Sequence, residues 1–147
     1  MKKSLKTISI LACALTLAAC GSEPASDAEP REIVRPEVEL TFAELTGDPV
    51  AGEQQFVRCA TCHSLNAGDR KLGPPLNGIV GREAGSVPGF RYSEANKRAD
   101  FVWTEERLFD YLESPREYMP GTIMAFAGLA DEQQRADLIA YLAEQGS

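Results

Sequence analysis

This 147-residue chain holds a single histidine, a single tryptophan, three methionines and four cysteines. Positive charge is also short: 15 lysines and arginines stand against 22 acids, a formal net charge of −7. General nucleic-acid binding needs a basic surface, so this balance excludes it. No apolar run reaches the ~20 residues a membrane-spanning helix needs, which excludes a transmembrane bundle. Neither a collagen-like repeat nor a low-complexity segment is present. What remains, 44% hydrophobic and 25% charged residues, is the ordinary make-up of one folded domain.

The first twenty residues differ from the rest. Lys2, Lys3 and Lys6 form a basic start, and residues 7–19 are then apolar or small. A charged start followed by a short apolar run reads as an export signal. It ends Leu17-Ala18-Ala19-Cys20, followed by Gly21. That tetrapeptide resembles the lipobox of bacterial lipoproteins, which implies cleavage before Cys20, a diacylglyceryl group on Cys20 and a membrane anchor. Ordinary cleavage after an Ala-x-Ala-like site, or an uncleaved anchor helix, are the alternatives. Loss of the signal removes Cys13 and leaves 12 basic against 22 acidic side chains, a net −10. Export would place the remaining thiols in an oxidising compartment.

Residues 21–39 carry three prolines, many acids and no aromatic residue. Such a stretch cannot bury a core, and the expected domains are a signal at 1–19, a lipidated Cys20 with a flexible tether over 20–46, and one compact domain over 47–147. A tether of about 25 residues has an r.m.s. reach of roughly 25–30 Å. Leu40, Phe42 and Leu45 are the tether residues able to pack on the domain. Beyond residue 47 the signals are helical. Asp48-Pro49 starts one helix, Thr104 a second that stops at Pro115, and Asp131 with Gln134 reads as a capping box opening a third that ends near Gly146. Long Gly/Pro-rich loops lie between. Three helices give a thin core for about 100 residues, and a bound cofactor would supply the missing apolar mass.

Cys59-Ala60-Thr61-Cys62-His63 is the c-type haem attachment pattern. Two cysteines three apart at a helix end can form thioethers with the two vinyl groups of one haem, and His63 then reaches the iron. A redox dithiol would want the cysteine pair at the start of a helix in a βαβ unit, which the sequence does not show. A structural zinc site needs four ligands, and the exported chain offers two thiols and one histidine.

With GPPLNGIVGREAGSVPGFRYSEANK, the Trp103 segment, YMPGTIMAFAGL and DLIAYL following in order, residues 47–145 resemble the class I c-type cytochromes, close to the mitochondrial and photosynthetic-bacterial carriers. The resemblance implies an all-α fold of three main helices plus short helices and loops around one covalent haem c. It implies that Met124, in Pro120-Gly121-Thr122-Ile123-Met124, binds iron opposite His63. Met119 is the rival, and its family position is an apolar core site. Pro74 matches the residue whose carbonyl bonds the axial histidine. Arg82, Tyr92, Asn96 and Trp103 match residues around the inner haem propionate, and Tyr111 and Thr122 match polar groups on the methionine side. Gly52, Phe56, Leu138 and Tyr141 match the crossing of the first and last helices.

The function so implied is one-electron transfer, not catalysis, by a monomer that turns over no substrate. The partners would be a quinol-oxidising complex as donor and a terminal oxidase or photosynthetic reaction centre as acceptor, with the protein tethered on the periplasmic side of a bacterial membrane. A fixed subunit of one oxidase or dehydrogenase complex is the competing reading. An open-haem ligand binder or peroxidase-like protein is another, although no second histidine is available as a distal base. Mitochondrial relatives carry a lysine ring around the haem edge. Here Arg58, Arg70, Lys71 and Arg116 keep part of it, while Ile123 and Glu117 replace lysines and Ala130-Asp131-Glu132 is acidic.

Overall fold

Asp48, Ser93, Thr104 and Asp131 each begin a helix by accepting a hydrogen bond from a backbone N–H in its first turn. These bonds satisfy donors that no helical carbonyl can reach. The computed structural model describes residues 40–146. The signal at 1–19, Cys20 and the tether through residue 39 lie outside the described residues. The helices are α1 (Pro49–Ala60), α2 (Glu94–Arg98), α3 (Glu105–Glu113), α4 (Pro115–Tyr118) and α5 (Glu132–Glu144), with a short 3-10 turn at Phe42–Glu44. The expected all-α fold with three main helices is therefore present. Among the described residues the one β contact is an isolated bridge between Glu83 and Val102.

Local chemistry sets the boundaries. Asp48 accepts from Val50 N at 2.8 Å, and Pro49 occupies the first turn, where its missing N–H costs nothing. Pro115 ends α3 as expected and also opens α4. At α5 the forward half of the expected capping box forms, Gln134 N donating to Asp131 Oδ1 at 2.8 Å. No return bond from the Gln134 side chain to Asp131 N is present among the described residues.

The chain is ordered on the domain earlier than the expected boundary at 47. Leu40 N donates to Glu132 Oε1 at 3.3 Å, and Gln133 Nε2 donates to Thr46 O at 2.8 Å. The Phe42 ring sits 5.5 Å from that of Phe109. Phe42 and Leu45 both pack against the core. Two aromatic rings in contact outweigh the polar character of the segment around them, so residues 40–46 belong to the packed unit and not to a free tether.

Helices α1 and α5 cross at Gly52. Both Gly52 and Phe56 are buried, and Phe56 meets Tyr141 with ring centroids 5.6 Å apart. The core runs from Phe56 through Leu108 and Leu112 of α3 to Leu138, Ile139 and Leu142 of α5. Asp137, buried at the crossing, accepts from Asp48 N at 2.9 Å and Gln133 Nε2 at 2.7 Å. A Cβ at position 52 would strike the Asp137 carbonyl and stand 2.8 Å from Tyr141 Cβ. Backbone cannot yield as a flexible side chain does, so Gly52→Ala must push the two helices apart. The expected cost is about 3 kcal/mol, at the upper end for overpacking, read as a lower denaturation midpoint in guanidinium titration of the haem-loaded protein.

Candidate functional site

Cys59 lies in the last turn of α1, and Cys62 and His63 follow its C-cap Thr61. The end of the helix turns tightly: Cys62 N and His63 N both donate to Cys59 O, at 3.0 and 2.8 Å. Both cysteines are free thiols and half-buried. Burial pushes the Cys59 thiol up to about 11. A redox dithiol depends on a depressed thiol pKa, supplied by the start of a helix. Here the pair sits at a helix end, not a helix start, and the Cys59 shift runs in the opposite direction, both against a redox dithiol. Among the described residues no group of three or more His, Cys, Asp or Glu is placed to hold a metal ion, so the zinc alternative lacks its ligands.

His63 is held by the segment beyond the next loop. Its Nδ1 lies 2.7 Å from Pro74 O. A carbonyl can only accept, so Nδ1 carries the proton and Nε2 keeps its lone pair. Burial lowers the His63 pKa, against the pull of the Pro74 carbonyl in the other direction, so the ring is neutral at neutral pH and fit to bind a metal through Nε2. Gly73 makes the seat: a Cβ there would fall on the imidazole ring. Gly73 N donates to Cys62 O at 2.7 Å and Leu76 N to Ser64 O at 2.7 Å, while Lys71 Nζ donates to Ala60 O at 2.7 Å and His63 O at 3.1 Å.

Cys59, Cys62 and His63 open onto a cleft of about 280 Å³. Every other residue singled out from the sequence as a haem contact also lines it: Pro74, Arg82, Tyr92, Asn96, Trp103, Tyr111, Thr122 and Met124. Two groups of these serve its polar ends. On one side Trp103 N donates to Arg82 O and Gly81 N to Trp103 O, each at 2.8 Å, a short backbone pairing that fixes Arg82 beside the indole. Arg82 donates to Pro75 O at 2.9 Å, but its Nε and second terminal nitrogen are buried without a partner. Burial lowers its pKa. Buried donors on a cation are costly unless met by an acceptor, and a haem propionate is an acceptor of the right charge. Tyr92 Oη accepts from Val87 N at 3.4 Å and keeps its own proton to donate, and Asn96 Oδ1 accepts from Ser93 Oγ at 2.9 Å.

On the other side the Tyr111 hydroxyl donates to Met124 Sδ at 3.7 Å, and Met124 N donates to Thr122 Oγ1 at 3.3 Å. Burial raises the Tyr111 pKa, so the phenol stays a donor. Met119, the rival methionine, is only 6% exposed and belongs to the core. The apolar walls, the orphaned Arg82 nitrogens and the Gly73 seat together fit one haem. Sequence reasoning missed Gly73 as the seat of the ring and Lys71 as a clamp on the attachment loop. A glycine before the axial-histidine acceptor was a usable signal for the first, and nothing local marked the second.

The comparisons agree with this geometry. The Cytochrome c family model matches residues 49–145. The chain is 48% identical over 110 residues to cytochrome c of Arabidopsis thaliana, covering 74% of this chain and 98% of that protein. It is 49% identical over 96 residues to cytochrome c2 of Blastochloris viridis, covering 65% of this chain and 76% of that one. Among solved structures, cytochrome cH from Methylobacterium extorquens superposes with a TM-score of 0.63 at 38% identity, covering 67% of this chain and 99% of that one. A histidine seated beside two half-buried cysteines, on an apolar cleft with unmet cationic donors, is thus accounted for: Cys59–His63 stands as the CXXCH pattern through which the family binds haem c, and this chain belongs to the cytochrome c family and is a haem c electron carrier.

Proposed function

We propose that the protein is a membrane-tethered one-electron shuttle with His63 and Met124 as the axial ligands of its haem. The observation that carries this reading is the Tyr111 hydroxyl on Met124 Sδ, in the same cleft as His63. That bond, with Thr122 on the Met124 backbone, orients a thioether that would otherwise rotate freely. Bound haem supplies a one-electron couple at its iron, and ligation by two protein side chains leaves no position for a substrate. A neutral thioether favours the reduced state and raises the potential relative to two histidines. The Pro74 carbonyl fixes the His63 ring plane and makes it a better donor. Arg82, Tyr92, Asn96 and Trp103 are assigned to the inner propionate, whose charge the orphaned Arg82 nitrogens would neutralise.

Partner choice follows from the rim of the cleft. Leu72 is 82% exposed and Ile123 70%, and Arg58 lies on the same rim. An apolar rim with a few cations suits brief docking on a partner with an apolar centre and flanking carboxylates. A quinol-oxidising complex as donor and a terminal oxidase or reaction centre as acceptor fit that description. The lipid on Cys20 would hold the carrier on the periplasmic face of a membrane and raise its effective concentration there. Among the described residues no helix is long and apolar enough to cross a membrane.

Met124→Ala in the haem-loaded protein should abolish the weak far-red iron–thioether band of the oxidised spectrum and lower the potential. Met119→Ala should keep the band and instead lower stability by about 2–5 kcal/mol, the usual cost of emptying a core site. Loss of the band in Met119→Ala would transfer the ligand role to that residue.

Tethering is tested separately. Cys20→Ser should move the protein from the membrane fraction to the soluble periplasmic fraction with its haem content unchanged. A mature N-terminus that begins at an unmodified Cys20, found by mass spectrometry, would remove the anchor from the account.

A further inference from the structure

Lys71 stands apart from the other cations near the cleft. The chain runs alongside itself here, residues 71–76 against 60–64. Gly73 N bonds Cys62 O, His63 Nδ1 bonds Pro74 O and Leu76 N bonds Ser64 O. Lys71 Nζ adds two bonds, to Ala60 O at 2.7 Å and His63 O at 3.1 Å. Ala60 is the last residue of α1. Its carbonyl lies where the helix leaves acceptors unmet and where the helix dipole favours a cation. Arg58 and Arg116 are exposed as Lys71 is, but make no side-chain hydrogen bond or ion pair among the described residues, whereas two carbonyls fix the position of Lys71.

We propose that Lys71 is a positioning residue for electron transfer: it clamps the attachment loop through the Ala60 and His63 carbonyls, fixes a positive charge beside the axial histidine and so favours the reduced protein. Reduction takes one electron from the donor protein and lowers the net positive charge of the site by one, with no bond made or broken. A cation held nearby therefore stabilises the product relative to the reactant. The inference rests on the proposed ligation of the haem by His63 and Met124.

The test is a redox titration of the haem-loaded protein and its variants, after the far-red band of each oxidised form has been recorded. A missing band in the unmutated protein would fault the axial-ligand reading and not the role of Lys71. With the band present, Lys71→Gln should shift the reduced-to-oxidised ratio at fixed ambient potential downward by roughly two- to fourfold, the worth of one screened charge near a protein surface. Amide exchange at Gly73 should quicken in the same variant, since its bond to Cys62 O lies within the clamped segment. Lys71→Arg, which keeps a donor and a charge, should match the unmutated protein. Arg98→Gln removes an equal charge from the exposed end of α2 and should leave both readouts unchanged. If Lys71→Gln leaves ratio and exchange unaltered, and only slows transfer at low salt to a rate that rejoins the unmutated protein at high salt, Lys71 is a docking charge and the proposal is wrong. Equal falls in Lys71→Gln and Arg98→Gln would reduce the effect to net charge and overturn it as well. Should Lys71→Gln not accumulate with haem, Lys71→Met takes its place: the same fall in the ratio supports the proposal and an unaltered ratio overturns it.

Discussion

The seat of the His63 imidazole is the constraint on which the rest of the structure depends. The ring is fixed at Nδ1 by the Pro74 carbonyl and lies on the face left bare by Gly73. Both residues belong to a loop with no secondary structure of its own, so that loop must be held in place. It is held by Gly73 N on Cys62 O, Leu76 N on Ser64 O and Lys71 on the end of α1. The α1 C-terminus and the 71–76 loop thus act as one unit, and α1 is itself fixed by its crossing with α5 at Gly52. The His63 imidazole inside the cleft is thus placed by a buried helix crossing, through a short series of backbone bonds.

The cleft and the hydrophobic core are not separate. Ile79, Trp103, Leu108, Tyr111, Leu112, Leu138 and Leu142 are core residues that also line the cleft. A domain of this size with three main helices has little apolar surface to bury by itself, and the haem completes it. This explains why the long loops between α1 and α3 hold a shape. Their residues turn inward on the cleft, and Arg82 enters it from a short backbone pairing with Trp103. It also fits the proposed role of that arginine, whose two nitrogens unmet by protein would be free for a propionate. The electron carrier is therefore half of a core whose other half is the cofactor.

Much of this was legible in the sequence, for identifiable reasons. Helix starts at Asp48, Thr104 and Asp131 were readable because caps act over two or three residues. The Cys59–His63 pattern was readable because attachment chemistry tolerates one spacing. Met124, Arg82, Trp103 and Tyr111 were reached only through resemblance, since nothing in an isolated methionine or arginine distinguishes a cleft residue from a core or surface one. The structure brings all of them to one cleft. For residues 40–46 the sequence offered both a tether and packing through Leu40, Phe42 and Leu45, and could not choose because the contact of Phe42 with Phe109 spans a long stretch of chain that composition cannot report. Lys71 was legible only as one of several cations, because a sequence shows charge and not the carbonyls that face it. The Asp131 capping box is half right: the aspartate caps, and the glutamine side chain does not reply.

The account stands or falls on covalent attachment at the helix end. The most direct measurement is the intact mass of the purified protein, with peptide mapping across residues 59–63 after acid–acetone extraction. The account predicts one haem mass added to the chain, retained through extraction, with thioethers at both Cys59 and Cys62 and neither thiol open to iodoacetamide. A chain whose colour is extracted by acid acetone, or whose two cysteines alkylate freely or form a disulfide with each other, would contradict it.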